Sequence, residues 1–196
     1  TAINGAEAFH NTTDINASLV SEDNKLGLAV FAQNTAKDAW DANGDGFTEL
    51  SKISGQTAGL RGYVKTGLYS KLSFEYHHLQ EFRRGGDNLS LPPHEAMIAE
   101  QTDHGINTGG VKFDWFSPDQ KHRINSFLSL QHINRESYYG ANKNPNAYGM
   151  TTDLTWVGGA QYVYKADKCI FMPSDLTLGL EYNEDYLKDN AWGYNR

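Results

Sequence analysis

The chain has 196 residues, with 17 Lys+Arg against 24 Asp+Glu and a formal net charge of −7. A hydrophobic share of 39% with 12% aromatics is too high for a disordered chain, yet no run approaches the roughly 18 uncharged apolar residues that a membrane-spanning helix needs. The acidic balance and the absence of a long Lys/Arg run exclude a counterion-releasing surface, so no nucleic-acid partner is expected.

Hydrophobicity alternates with the period of a strand. Residues 15–19 alternate, Glu22-Asp23-Asn24-Lys25 turns, and residues 26–31 return, which predicts a hairpin. Residues 56–65 are a candidate strand, and Thr66-Gly67 opens the turn into residues 71–79. There Leu72, Phe74 and Tyr76 fall on one face and Ser73, Glu75 and His77 on the other. Residues 106–116 and 122–133 form a second hairpin about Ser117-Pro118-Asp119-Gln120-Lys121, with Pro and Asp where a turn favours them. Residues 152–165 carry Leu154, Trp156, Tyr162 and Tyr164. Ala166-Asp167-Lys168 is the next predicted turn, and residues 169–171 and 176–182 return. Residues 95–101 hold about two helical turns at most, without an apolar stripe.

The predicted connections alternate in length. Those at 22–25, 66–70, 117–121 and 166–168 are short, and those at 34–50, 80–104 and 134–151 are long. An up-and-down antiparallel meander puts all the short turns at one end of the sheet and the long loops at the other. Outer-membrane barrels have that form, and strands of about 9–11 residues match a tilted crossing of the bilayer. The expected fold is therefore all-β: an antiparallel up-and-down meander, part of a transmembrane β-barrel with long outer loops. A soluble β-sandwich, whose strands average about 5–6 residues, is the competing pattern. The single cysteine, Cys169, rules out an intrachain disulfide. The chain opens at Thr1 without Met, as expected of part of a longer or processed protein.

Several segments resemble a known family. They are residues 41–50, Asp41-Ala42-Asn43-Gly44-Asp45-Gly46-Phe47-Thr48-Glu49-Leu50, then residues 72–78 running into Glu81-Phe82-Arg83-Arg84-Gly85-Gly86. Pro92-Pro93-His94-Glu95, Ala99-Glu100-Gln101, Ser137-Tyr138-Tyr139-Gly140, Thr152-Asp153-Leu154-Thr155-Trp156 and residues 171–177 complete the set. In this order they are similar to the barrel of TonB-dependent outer-membrane receptors of the Bacteroidetes type, over roughly residues 15–196. The resemblance implies a barrel of about 22 strands, an N-terminal plug and a TonB-box peptide. This chain, with about eight to ten strands by that pattern and no recognisable plug, is expected to be an internal barrel segment over residues 1–196. The implied activity belongs to the parent receptor. It imports a scarce small-molecule cargo (an iron chelate, haem or a cobalamin) across the outer membrane, driven by the TonB complex through the missing plug. Outer-membrane lipid is then a further partner.

Asp41-Ala42-Asn43-Gly44-Asp45-Gly46 matches the start of a calcium loop, with oxygen donors at its first, third and fifth positions and Gly at the sixth. Phe47 would add a backbone carbonyl and Glu49 a carboxylate. Lys52 stands where an EF-hand has a bidentate Glu, so the expectation is a partial calcium loop, set against a plain Asp/Asn/Gly turn. The resemblance implies calcium in outer loops of cobalamin receptors. Arg83 and Arg84, beside flexible glycines, are candidates to clamp a cargo carboxylate or phosphate, against pairing with Glu81 or Asp87. Tyr138 and Tyr139 are candidates to stack on a cargo, and Trp156 is expected in an aromatic girdle. His77, His78, His94 and His104 are read as structural or loop histidines, because His77 and His78 point to opposite faces and His94 lacks a partner four residues on. No nucleophile elbow, phosphate loop or dinucleotide fingerprint is present, so no enzyme is expected. The alternatives are a complete small outer-membrane barrel acting as an anchor or adhesin, and a soluble calcium-stabilised β-sandwich binding carbohydrate.

Overall fold

The computed structural model describes residues 8–191; the ends of the 1–196 segment lie outside the described residues. Eight strands follow one another in the chain: β1 (His10–Val20), β2 (Leu26–Lys37), β3 (Phe47–Gly67), β4 (Ser70–Asp87), β5 (Ile98–Phe116), β6 (His122–Ala141), β7 (Tyr148–Cys169) and β8 (Met172–Ala191). They form one sheet in the order β1-β2-β3-β4-β5-β6-β7-β8, and every neighbouring pair is antiparallel. The all-β up-and-down meander expected from the period-two pattern is what the chain forms. There is one sheet and not two stacked ones, so the sandwich is set aside. Among the described residues β1 pairs only with β2 and β8 only with β7, so the sheet is open.

The short connections lie at one end, as expected. Asn24 and Gln120 take left-handed backbone angles in the first and third of them, with φ of 55° and 57°. The Ser117 hydroxyl accepts the His122 N–H at 2.9 Å, and Asp119 accepts the Lys121 N–H at 3.1 Å. One short turn is displaced from its predicted place. β7 runs through residues 166–168, with a register shift between Ala166 and Cys169, and the chain reverses at Ile170 and Phe171.

At the other end the predicted long loops are largely sheet. The connections shrink to residues 38–46, 88–97 and 142–147, because strands of 18 to 22 residues in β3–β8 continue well past the apolar stretch. No α-helix forms at 95–101, in keeping with the missing apolar stripe. A 3-10 turn covers Pro93–Glu95, and from Ile98 the backbone joins the ladder, where Ala99 pairs with both Gly86 and Gly140.

The ladder sorts side chains into two faces. One face is apolar towards the short turns. Across the sheet its rows read Leu19, Leu28, Gly62, Phe74, Val111, Leu128, Gly158 and Tyr182, then Ala17, Val30, Leu60, Tyr76, Gly109, Leu130 and Trp156. The band runs diagonally. In β1 it reaches up to Ile15, in the row of His78, whereas in β8 it reaches down to Leu176, opposite Tyr164. A diagonal band is what strands tilted against a slab produce. Aromatic side chains border it: Trp115, Tyr162 and Tyr164 on the short-turn side, and Tyr76, Trp156 and Tyr186 on the other. The opposite face is polar, with Ser18, Arg61, Glu75, Lys112, Ser129, Asn183 and Asp185 among its residues. Cavities of about 510 Å³ indent it near each end, so the polar face is concave.

Little is packed in the ordinary sense. Among the described residues the buried hydrophobic ones are Ala96, Ala99 and Tyr138, flanked by Ala147 and Tyr148. Meanwhile Leu178 and Leu180 are 75% and 73% exposed. A lone sheet cannot bury its apolar face on itself, and a second layer of some kind must cover it. On the concave face glycines let rings lie flat on the neighbouring strand. A Cβ on Gly27 would stand 2.3 Å from the Tyr63 ring, and one on Gly159 would stand 2.7 Å from that of Phe127.

Candidate functional site

The polar cavity at the long-loop end is built by five strands. β4 directs Glu81 and Arg83 into it, β5 Glu100, Thr102 and His104, β6 Arg135 and Tyr139, and β2 Lys37, with Glu49, Ser51 and Ile53 of β3 completing the lining. Register makes the grouping inevitable: Glu81 pairs with His104 and His104 with Arg135, so one row carries all three. The carboxylates are each engaged. Arg83 Nε donates to Glu81 Oε1 at 2.7 Å, Ser51 Oγ donates to Glu100 Oε1 at 2.7 Å, and the Ala42 N–H donates to Glu49 Oε2 at 2.6 Å. Glu81 accordingly holds the Arg83 guanidinium pKa above its usual value.

Arg135 is differently placed. Its Nη2 donates to Thr151 Oγ1 at 3.1 Å, and that hydroxyl donates to Asp189 at 2.7 Å. Its Nε is buried and has no hydrogen-bond partner. A buried charged donor left unpaired costs about 1–3 kcal/mol or more. Sequence reasoning missed this residue because Asn134-Arg135-Glu136 fell within a predicted loop. No polarity signal marks it, because Asn134, Arg135 and Glu136 are polar on both sides of the strand.

The two arginine and two tyrosine candidates divide by strand alternation. Arg83 and Tyr139 line the cavity, and Tyr139 is 62% exposed. Arg84 and Tyr138 point to the other face, where the segment 88–97 folds over them. Arg84, 3% exposed, donates to the carbonyl of Gly85 at 2.6 Å and of Asp87 at 3.3 Å. Burial lowers its pKa, and Asp87 opposes that shift. Tyr138, 1% exposed, sits edge-on to Tyr148 at 4.9 Å between ring centroids and donates its hydroxyl to the Asn144 carbonyl at 2.9 Å. Asp87 fastens the covering segment by accepting the N–H groups of Ile98 at 2.8 Å and Met97 at 3.3 Å. Arg84 and Tyr138 thus brace the outer rim and do not meet the cavity.

The Asp41–Glu49 loop closes on itself. Asp41 accepts the N–H groups of Gly44 and Gly46, both at 2.7 Å, and that of Asn43 at 3.2 Å. Asp45 accepts the Phe47 N–H at 2.9 Å, and Asn43 Oδ1 the Asp45 N–H at 3.0 Å. The Gly46 bond, foremost, holds the Asp41 pKa below the ordinary carboxylate value. Among the described residues no group of three or more His, Cys, Asp or Glu is gathered as a metal cage.

The histidines are spread over the sheet. His77 faces Glu75 on the polar side at 3.8 Å, His78 lies 2.9 Å from Asn107 on the other, His94 rests on the Tyr148 hydroxyl at 2.8 Å, and His104 lines the cavity. Trp156 stands on the apolar face, 5.0 Å from Tyr182 between ring centroids. No helix of the described residues is long and apolar enough to cross a membrane, a criterion that does not bear on strands. No family model, no curated protein and no solved structure matches the chain.

Proposed function

We propose that the chain is a segment of the barrel wall of a TonB-dependent outer-membrane receptor, which imports a scarce cargo such as an iron chelate, haem or a cobalamin. One observation carries the membrane part of this reading: a single open sheet whose convex face is an uncovered diagonal apolar band with aromatic borders, and whose concave face is charged. Hydrocarbon is the layer that such a face fits, because the ladder already satisfies the backbone groups that lipid cannot. The unpaired edges of β1 and β8 favour a wall continued by further strands over a complete eight-stranded anchor or adhesin. The cargo, the plug and the TonB drive come from the resemblance.

In this reading the polar cavity opens at the outer mouth, and the long-loop half of the sheet stands above the hydrocarbon. Calcium at Asp41, Asn43, Asp45, the Phe47 carbonyl and Glu49 is a separable proposal resting on the loop spacing. It is supported if millimolar calcium releases heat and raises Tm, and lost if neither occurs.

The test of the main reading uses the full-length parent protein in its own cells. Cysteines placed singly at Leu128 and at Ser129 are probed in outer-membrane fractions. Leu128→Cys is expected to be quenched by lipid-borne quenchers and Ser129→Cys to be reached by water-soluble thiol reagents. Recovery of the parent in the soluble fraction, or equal labelling at the two positions, would overturn the reading. Loss of cargo uptake on removal of TonB tests the transport part separately.

A further inference from the structure

The two backbone edges that lack a partner strand among the described residues are not alike. The β8 edge runs for 20 residues and the β1 edge for 11. Leu178 and Leu180 of β8 are more exposed than Leu128 and Leu130 of the interior strand β6, at 48% each, so the flank of β8 is open as well as its apolar face. Its concave side is acidic. Glu181, Asp185 and Asp189 recur there every four residues, and Asp153 of β7 stands on the same side. Over residues 149–163 and 177–191 that side of β7 and β8 holds these four carboxylates and no Lys or Arg. Thr155 Oγ1 lies 3.4 Å from an oxygen of Asp153 and 3.4 Å from one of Asp185, and Thr151 donates to Asp189 at 2.7 Å. None of the four is in an ion pair among the described residues. The Lys and Arg in their rows stand farther in: Arg135 of β6 ends on Thr151, and Lys112 of β5 pairs with Asp114 at 3.2 Å.

We infer that the β8 edge is an interface for one further antiparallel strand of the parent chain, outside residues 1–196, which carries Lys or Arg on its concave side opposite Glu181, Asp185 and Asp189. Side chains directly opposite across a ladder stand close enough for unlike charges to stabilise the pair and like charges to oppose it. The carboxylates recur at a four-residue spacing, so the cations facing them recur at a spacing of two or four. β1 does not meet this need. It contains no Lys or Arg, and Asp14 lies on its concave side, in the row of Gln33 and Thr57. Closing β1 onto β8 would add a carboxylate to the column and would leave about half of the longer edge bare. The inference deepens the barrel-wall reading and rests on it for the source of the strand.

The experiment places a photo-crosslinking p-benzoylphenylalanine at Asn183, between Glu181 and Asp185, in the full-length parent, and identifies the captured peptide by mass spectrometry. Besides β7, the expected product is a peptide of the same chain outside residues 1–196, with Lys or Arg at alternate positions. Capture of residues 10–20, capture of a different polypeptide, capture of a strand without cations on that side, or no product beyond β7 would each overturn the inference. If the Asn183 variant does not accumulate, the same label at Leu180 on the other face reads the same neighbour. A charge reversal then tests the pairing itself. Asp185→Lys should lower the yield of folded parent, and reversing the captured strand's facing cation to Glu should restore it; no recovery in the double variant counts against the pairing. The captured sequence is read whichever fraction the parent occupies, so this inference and the membrane reading fail separately.

Discussion

The two halves of the same strands live under different rules. In β4, Leu72, Phe74 and Tyr76 form part of the apolar band, whereas farther along the same face stand His78, Gln80, Phe82 and Arg84. The backbone ladder is continuous through both halves, from Ser70 opposite Trp115 to Gly86 opposite Ala99. Hydrogen bonding therefore does not distinguish them; what each face meets does. Towards the short turns the sheet leaves its apolar surface uncovered. Towards the loops it turns polar on both faces and carries its one small packed cluster on the rim. The comparison teaches that strand length here is set by backbone pairing, while the extent of the apolar band is set by side chains.

The strongest way to break this contrast is a charge on the same face in each half. Leu128→Arg should cost about 2–4 kcal/mol and reduce outer-membrane recovery, whereas Asn134→Arg should stay within about 0.5 kcal/mol. Denaturant titration of vesicle-reconstituted parent measures both, and equal costs would erase the distinction. Next come two glycines of the loop end. Gly86 has φ +103°, and a Cβ there would stand 2.1 Å from the Ile98 carbonyl oxygen, so Gly86→Ala should cost about 2–3 kcal/mol. Gly44 has φ +76° and open space around it, so Gly44→Ala should cost only about 1 kcal/mol. Reversal of that order in melting experiments would mean that the rim yields more easily than its geometry implies.

A smaller effect separates the adjacent tyrosines. Tyr138→Phe loses the bond to Asn144 and should cost about 1 kcal/mol, while Tyr139→Phe should leave stability unchanged. The smallest is a pH effect at Asp87. Its folded pKa lies below the ordinary 3.8, chiefly through the Ile98 N–H, then that of Met97. Its contribution is therefore present above that ordinary value and is lost as pH falls below it. Amide exchange at Met97 and Ile98, corrected for intrinsic rates, should quicken over that acid range, and Asp87→Asn should remove the dependence.

The lower half was readable from residues alone because one side of each strand is apolar and the other is not. Leu72/Phe74/Tyr76 against Ser73/Glu75/His77 in β4 is such a contrast, and Ser117-Pro118-Asp119 marks the turn from β5 to β6. The upper half was not readable, since Gln80 to Arg84 and Asn134 to Glu136 are largely polar on both sides and alternation leaves no trace in polarity. The side of each arginine was within reach: the alternation that separates His77 from His78 also separates Arg83 from Arg84. That Asp87 pins the segment over Arg84 needed coordinates, because Asp87 and Ile98 meet only once β4 and β5 are in register.

The uninterrupted strand order also bears on how the sheet is made. Each strand's partners are its immediate neighbours along the chain, so no pairing waits for a distant segment to arrive. Such a ribbon can zip hairpin by hairpin from either end, and the loop-closure entropy of each step is confined to a connection of a few residues at four of the seven joints and somewhat more at the others. Its growing front always presents one bare strand, ready to recruit the next.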